Sequence, residues 1–136
     1  MTRPAGPDVI AGNAETAAQG NGWFVGHFIA DRDDPRATGD VEVKWAVYAG
    51  GERRDGWGVN RVATTLAVLV RGRFRLRFPE REVALERPGD FALWRPGVPH
   101  DWDADGPTIV VTVRWPSVPD DSVVVPDPRP SSEALG

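Results

Sequence analysis

Short segments with period-two alternation, separated by turn residues, dominate the middle of this chain. In residues 41–49 (VEVKWAVYA), Glu42, Lys44 and Tyr48 fall on one face of an extended strand, and Trp45 and the valines fall on the other. Similar extended patterns occur in residues 23–30, 61–70, 73–79, 81–89, 90–96 and 107–116. No stretch has the period of an amphipathic helix. About eight short strands at this spacing predict an all-β barrel or sandwich.

Residues that favour turns stand at the ends of these segments. The signals are Asp33-Asp34-Pro35-Arg36, Gly50-Gly51, Arg71-Gly72, Pro88-Gly89 and Asp105-Gly106-Pro107. Each of them predicts a reversal of the chain between two strands.

The composition excludes several classes of function. The chain has 136 residues, enough for one domain, and no cysteine, which excludes disulfides, thiolate nucleophiles and cysteine-ligated metals. Residues 21–115 hold equal numbers of acidic and basic side chains, so the excess of base that nucleic-acid binding requires is missing. No apolar run is long enough for a membrane helix, and residues 1–22 lack the apolar core of a signal peptide. We therefore expect a cytoplasmic protein that binds neither nucleic acid nor membrane.

Sequence motifs of common enzyme classes are also missing. The chain contains no P-loop, GxGxxG or GxSxG pattern. Its serines all lie near the C-terminal end, at Ser117, Ser122, Ser131 and Ser132. A serine nucleophile is therefore not expected.

Three regions are predicted from composition. Residues 1–20 are rich in Ala, Gly and Asn and are expected to form a flexible arm, and residues 21–116 are expected to form the β-barrel domain. Residues 117–136 are rich in proline and acidic residues and are expected to be a disordered tail. The run of valines at 123–125 leaves a second possibility, an added edge strand.

Four arginines recur at period two in residues 71–77. In a strand, Arg71, Arg73, Arg75 and Arg77 share one face while apolar residues fill the other. This face is either an anion-binding strip or a solvated outer surface paired with Glu80, Glu82 and Glu86 of the next segment. The nearby acids favour the solvated surface.

Residues 88–100 (PGDFALWRPGVPH) are the most specific motif in the chain. They resemble the second motif of the cupin superfamily, G(X)5PXG(X)2H(X)3N, with Gly89 at its start, Gly97 in its tight turn and His100 at its histidine. Residues 64–78 resemble the end of the first cupin motif. The resemblance implies a cupin-like double-stranded β-helix (a jelly-roll barrel), a homodimer, and an inward position for His100, which in cupins is the last metal ligand.

The metal ligands of the first cupin motif, G(X)5HXH(X)3,4E(X)6G, are not matched. Counting back from Gly72, its glutamate falls on Thr65, and its two histidines fall either on Val59 and Arg61 or on Gly58 and Asn60. A catalytic metal site needs about three protein ligands, and only His100 remains of this set. An atypical set, in which His27 and His100 converge with Glu42 or Glu52, stays open. We expect no metal cofactor.

His100 is the candidate catalytic residue, as a general acid or base, because an unperturbed histidine titrates near ~6.5. A buried histidine bonded to a backbone carbonyl is the structural alternative.

The candidate ligand-binding residues are Thr65, Lys44, Arg114, His27, Trp102 and Trp57. Orientation is open for three of them. Lys44 faces either solvent or the cavity, Arg114 is an anion clamp or an exposed strand end, and His27 belongs to the core or to the pocket. Trp102 shares the parity of His100, and Trp57 stands in a glycine-rich loop that could cover the pocket mouth.

The functional hypothesis is a pocket for a small organic ligand, in an enzyme of the isomerase, lyase or cyclase kind that works without metal. The resemblance permits it, because some cupins, such as deoxysugar epimerases, use a histidine and no metal. One alternative is a non-catalytic ligand-binding or sensing cupin. The second alternative is a metal-dependent oxygenase with atypical ligands.

Overall fold

The computed structural model describes residues 6–18, 20–54 and 56–129, and these residues are mostly β-strand. They contain one short helix, α1 (Ala14–Ala17), and the strands β1 (Trp23–Val25), β2 (Glu42–Tyr48), β3 (Trp57–Asn60), β4 (Thr64–Phe78), β5 (Arg81–Leu85), β6 (Phe91–Trp94), β7 (Asp101–Trp115) and β8 (Ser122–Val125). No helix among them is long and apolar enough to cross a membrane.

The strands close into a barrel around one apolar core. Five of them form the antiparallel order β1-β2-β7-β4-β5, β6 joins the same edge of β4 as β5, and β3 pairs with β8. The first half of β7 also bonds to the segment before β3, with Gly51 N–H donating to the Ala104 carbonyl and Arg54 N–H donating to the Trp102 carbonyl, both at 2.9 Å. These bonds connect the two sheets, and the predicted all-β barrel is confirmed.

Two predicted turns are bulges within long strands. Strands β4 and β7 each run for 15 residues, through Gly72 and Gly106 respectively. Gly72 has φ +96°, and a Cβ there would overlap the Pro107 carbonyl oxygen and Thr108. The Thr108 hydroxyl accepts from Arg73 N–H at 3.2 Å, which fixes the bulge. Glycine therefore bends these strands, rather than reversing them, and each long strand extends through both halves of the barrel.

The strand predicted for residues 23–30 ends early, at Val25. Gly26 has φ +152°, and a Cβ there would overlap the ring of Phe28. Its N–H donates to the Arg36 carbonyl at 2.9 Å, and its own carbonyl accepts from Thr38 N–H at 3.3 Å. The chain therefore leaves the sheet at Gly26, and His27 lies in a loop.

The face of β2 that carries Lys44 is the inner one. Glu42 and Ala46 on this face are buried, whereas Val47 on the other face is 56% exposed. Along β7, Ala104, Thr108 and Val110 are buried on the same inner side. The more apolar face of β2 is therefore the outer face of the sheet, opposite to what burial of apolar residues alone predicts.

The segment after the barrel is ordered as far as the structure describes it. Strand β8 pairs with β3, as the alternative for the valine run at 123–125 allowed, and Ser117 is buried. The Asp121 carboxylate accepts from Val62 N–H at 2.6 Å and from Ala63 N–H at 3.2 Å. These bonds explain why residues 117–129 do not form the disordered tail that composition indicated. The predictions for residues 1–5 and 130–136 lie outside the described residues.

The arginine series of β4 points outward, as expected for a solvated face. Arg71, Arg73 and Arg75 are exposed. The guanidinium of Arg77 contacts the carboxylates of Asp101 and Asp103 on β7, and it lies 3.6 Å from Glu82 on β5. The paired-surface interpretation is therefore confirmed for Arg77, although its main partners lie on β7.

Candidate functional site

One layer of inward side chains crosses four adjacent strands of the barrel. Thr65 on β4 is in register with Trp94 on β6 and with Arg114 on β7, and Arg114 is in register with Glu42 on β2. All four side chains are on the inner side, and Thr65 is fully buried. The inner wall thus carries a row of polar groups within an apolar barrel.

His100 lies inside the barrel next to this row. It is 2% exposed, its ring centroid is 5.0 Å from that of Trp94, and its backbone bridges to Gly58. Its Nδ1 lies 3.2 Å from the Val98 carbonyl oxygen. Because a carbonyl only accepts, Nδ1 carries the proton and Nε2 keeps its lone pair in the neutral ring. The predicted inward position of His100 agrees with the structure, and it also has the backbone partner of the structural alternative.

The pKa of His100 is lowered to about 4, mainly by burial and to a lesser degree by the positive charges of Arg54 and Arg114, while the bond to Val98 acts in the opposite direction. A histidine with this pKa is neutral at pH 7. Its Nε2 is therefore available as a hydrogen-bond acceptor or a proton acceptor.

Arg54 is a site residue that sequence reasoning missed. Its N–H donates to the Trp102 carbonyl at 2.9 Å, which holds it beside the first half of β7. Its guanidinium lies over Gly58, where an added Cβ would overlap it. Burial lowers the pKa of Arg54, although an arginine stays charged. Arg54 stands in an irregular loop, so no strand period could place it; only the glycine at position 58 indicates the space that it fills.

Lys44 and Arg114 both approach the ring of Trp23. Lys44 Nζ is 5.6 Å and Arg114 Cζ is 4.9 Å from the Trp23 ring centroid, within cation–π range. Burial lowers the pKa of Lys44 to about 8, with further contributions from the charges of Arg114 and Arg54. Lys44 and Arg114, whose orientations the sequence left open, therefore both point inward. Together with Arg54 they place three basic side chains in this part of the barrel.

Glu42 is the acidic group in contact with Arg114. Its Oε2 lies 3.7 Å from Arg114 Nη1, and its Oε1 accepts from the Ser117 hydroxyl at 2.9 Å. His27 Nδ1 lies 2.6 Å from Ser117 Oγ. Because the single hydroxyl proton goes to Glu42, His27 Nδ1 donates to Ser117. His27 thus anchors Glu42 through a serine that sequence reasoning had set aside, rather than joining His100.

A cavity of about 960 Å³ opens along β2 and is lined by residues from both faces of this strand, with Lys44 and Tyr48 from the inner face and Trp45 and Val47 from the outer one. Its walls include Lys44, Tyr48, Arg54 and Trp102. Trp102 packs at a tilt against Tyr48 and stacks on Phe74, with ring centroids 4.7 and 5.3 Å apart respectively. The predicted inward parity of Trp102 agrees with this position, and its ring gives the cavity an aromatic wall next to two basic groups.

Trp57 does not cover the mouth of this cavity. It is buried in β3, and the guanidinium of Arg129 lies over its ring, with Cζ 4.8 Å from the centroid. Trp57 and Arg54 instead line a second cavity of about 1010 Å³, and a covering role for Trp57 at that cavity stays a prediction.

The positions that the cupin motif assigns to metal ligands meet in the lumen but do not fit a metal. Gly58 and Asn60 are buried, whereas Arg61 is exposed, so the second of the two alignments describes this chain. With Thr65 and His100 they supply one imidazole, an amide and a hydroxyl. The described residues contain no group of three His, Cys, Asp or Glu side chains able to hold a metal ion. The space over Gly58 is taken by the cationic Arg54, which a divalent ion would not tolerate beside it.

Five buried side-chain atoms in the described part of the chain have no hydrogen-bond partner. They are Arg54 Nε, Asn60 Oδ1, Thr65 Oγ1, Trp94 Nε1 and Arg114 Nε. Thr65, Trp94 and Arg114 are neighbours in register on the inner wall, Arg54 lies in the loop before β3, and Asn60 lies in β3. Buried polar atoms are normally paired, so the three neighbouring atoms indicate a place that a ligand or water completes.

Comparison with solved structures shows the fold. The chain is similar to a conserved protein with a double-stranded β-helix domain from Klebsiella pneumoniae, with a TM-score of 0.56 and 21% identity over 65% of this chain and 76% of that one. KdgF from Halomonas sp. matches with a TM-score of 0.53 and 20% identity over 61% of this chain and 74% of that one. A cupin protein from Bacteroides fragilis matches with a TM-score of 0.52 and 12% identity over 60% of this chain and 69% of that one. No protein-family model and no curated protein matches the sequence. At these identities the likeness shows the fold alone.

Proposed function

Because the chain has the cupin fold, as residues 88–100 predicted, we propose that its lumen binds a small organic molecule and that His100 exchanges a proton with it. The reaction class is that of a metal-independent isomerase, lyase or cyclase. These reactions need a group that removes a proton from carbon or oxygen and returns it at another position. The observation that supports the proposal is the His100 ring itself, buried inside the barrel with Nδ1 beside the Val98 carbonyl and with no hydrogen bond to Nε2 from another described residue.

The chain supplies the other requirements of such a site. The Val98 carbonyl fixes the tautomer and orientation of His100, as a positioning partner does for a general base. The ring of Trp94 packs beside His100, and the ring of Trp102 lines the cavity along β2, as aromatic rings commonly do in organic-ligand pockets. A pKa of about 4 makes the free ring a weak base. A bound anion would raise that pKa by offsetting the charges of Arg54 and Arg114.

The test is proton exchange into the ligand. Molecules retained on the purified protein are identified by native mass spectrometry, added back in D₂O, and followed for deuterium incorporation. We expect incorporation with the wild type and its loss in His100→Gln, with binding kept. Arg71→Gln, on the exposed outer face of β4, is the control and should retain exchange. Binding without exchange in the wild type would contradict catalysis.

That outcome would favour the second candidate, a non-catalytic binding or sensing cupin. The low pKa of His100 is the observation that favours it, since a weak base also serves as a plain hydrogen-bond acceptor. Under this candidate the ligand raises the melting temperature, and His100→Gln lowers only the affinity.

We also propose a homodimer that buries the outer face of the barrel. Phe91 and Leu93 on β6 are 65% and 51% exposed. Strand register places apolar residues beside them on the same face across β4, β7 and β2, namely Leu66, Val68, Val111, Val113, Val43 and Trp45. The residues named are all apolar, with the Glu15 carboxylate accepting from Trp45 Nε1 beside them, and homodimer interfaces are apolar at their core. Sedimentation velocity should show a dimer that Leu93→Glu dissociates and Arg87→Glu does not; a wild-type monomer would refute it.

A further inference from the structure

The inner wall presents more hydrogen-bond donors than acceptors. Of the unpaired buried atoms, four are N–H or O–H donors, on Arg54, Arg114, Thr65 and Trp94, and one is an acceptor, the Asn60 side-chain oxygen. Three of the donors stand side by side in register, because Thr65 lies between Trp94 and Arg114. The group that completes this wall must therefore be mainly an acceptor.

The charge of the lumen points the same way. The charges of Arg54 and Arg114 lower the pKa of Lys44, and the charge of Arg54 lowers the pKa of Arg114. Arg114 has Glu42 as its carboxylate partner. Lys44 and Arg54 make no ion pair within the described residues. Unpaired basic groups buried in a barrel carry an energetic cost that a bound anion removes.

We propose that the ligand is a small hydroxycarboxylate whose carboxylate is held by Arg54, Arg114 and Lys44, in the part of the lumen where the cupin motif would place a metal. A carboxylate has about four lone-pair sites, so it can accept from the unpaired Nε–H groups of Arg54 and Arg114 and still accept from Lys44 or the Thr65 hydroxyl. The unpaired Asn60 oxygen needs a donor, and a hydroxyl on the same ligand supplies one. This inference rests on the proposed small-molecule pocket and names the substrate class of that site.

Arg54 gives the proposal its specific geometry. Its guanidinium occupies the space over Gly58, opposite the backbone of His100. A fixed organic cation there does for an anionic oxygen what a metal ion does by charge, while its planar fork also donates hydrogen bonds. The absence of a side chain at Gly58 is what leaves room for it.

The experiment measures binding of charged and neutral partners by isothermal titration calorimetry. The probes are hydroxycarboxylates of three to six carbons (lactate, malate, gluconate and glucuronate), with glycerol and glucose as neutral partners and inorganic phosphate as a second anion. We expect at least one hydroxycarboxylate to bind at least tenfold more tightly than every neutral probe and than phosphate. Equal binding of charged and neutral probes, tighter binding of phosphate, or binding of none would overturn the proposal.

Two arginines supply a matched pair of variants. Arg54→Met should weaken hydroxycarboxylate binding tenfold or more, because a charge-assisted hydrogen bond is lost. Arg71→Met, on the exposed outer face of β4, should change it less than threefold. Thermal unfolding confirms that both variants fold, and Arg54→Lys serves if the methionine variant does not. Equal affinities in the two arginine variants would refute the role of Arg54.

His100→Gln separates this inference from the proposed function. If the carboxylate site is right, this variant keeps hydroxycarboxylate affinity within about fivefold, whether or not the wild type catalyses proton exchange. Loss of exchange with binding intact supports both statements. Binding without wild-type exchange refutes only the catalytic role, and exchange into a neutral ligand with no hydroxycarboxylate binding refutes only the carboxylate site.

Discussion

Replacing His100 by glutamine should change how the stability of this protein depends on acid. The pKa of His100 is about 4 in the folded protein and 6.5 for an ordinary histidine, because burial disfavours the charged ring. Between these values the unfolded chain binds a proton that the folded chain does not. The free energy of unfolding therefore falls as pH falls from 6.5 to 4, and this contribution is fully present above pH 6.5.

The size of the effect follows from the shift in pKa. Each unit corresponds to about 1.4 kcal/mol, so the contribution of His100 lost between pH 6.5 and 4 is at most about 3.5 kcal/mol. Urea unfolding at pH 7, 6, 5 and 4.5 measures it as the difference between wild type and His100→Gln. Acidic groups titrate alike in both proteins and cancel in the difference.

The wild type should lose about 2 kcal/mol more than His100→Gln between pH 7 and pH 4.5, as estimated from the shift in pKa. His27→Gln is the control, since it removes the other histidine and leaves His100 in place. A difference between wild type and His100→Gln that stays constant with pH would refute the buried neutral ring.

Three further predictions concern neighbouring groups. Lys44→Met should abolish a rise in the free energy of unfolding between about pH 8 and 10.5, where the unfolded chain keeps a proton that folded Lys44 has lost; urea unfolding at pH 7.5 and 9.5 measures it. Ser117→Ala should destabilise the protein by about 1–3 kcal/mol, since Glu42 and His27 both lose a buried partner, and a change below 0.5 kcal/mol would contradict this. Dialysis against EDTA should leave the melting temperature and the hydroxycarboxylate affinity unchanged. A fall in either of them after chelation, reversed by adding a metal ion, would contradict the conclusion that these residues do not fit a metal.

Much of the fold was predictable because its signals are local. The alternation in residues 41–49 and the turn motif before His100 are each contained in about ten residues, and both correspond to the observed strand and inward histidine. The bulges were not predictable in this way. Gly72 and Gly106 have positive φ, as turn glycines do, and only the facing strand decides whether such a residue reverses the chain or bends it.

The site was predictable in part, for the same reason. Thr65 and His100 follow from the spacing of the family motif, and strand parity related Trp102 to His100. Whether Lys44 points inward depends on which face of β2 lines the inside of the barrel. The more apolar face lies outside, so apolar residues alone do not predict the direction of Lys44. Arg54 and Ser117 act through bonds to chain 40 or more residues away, Arg54 to Trp102 and Ser117 to Glu42 and His27, which no local pattern records.

The protonation of His100 with and without a bound anion tests the whole assignment most directly. Long-range ¹H–¹⁵N NMR of the two histidine rings, titrated from pH 8 to 4, gives the pKa and tautomer of each. His100 should keep its proton on Nδ1 and stay neutral until about pH 4 in the free protein, and saturating gluconate should move its pKa upward. Titration of His100 near pH 6.5, unaffected by gluconate, would contradict both the buried ring and the anion site beside it.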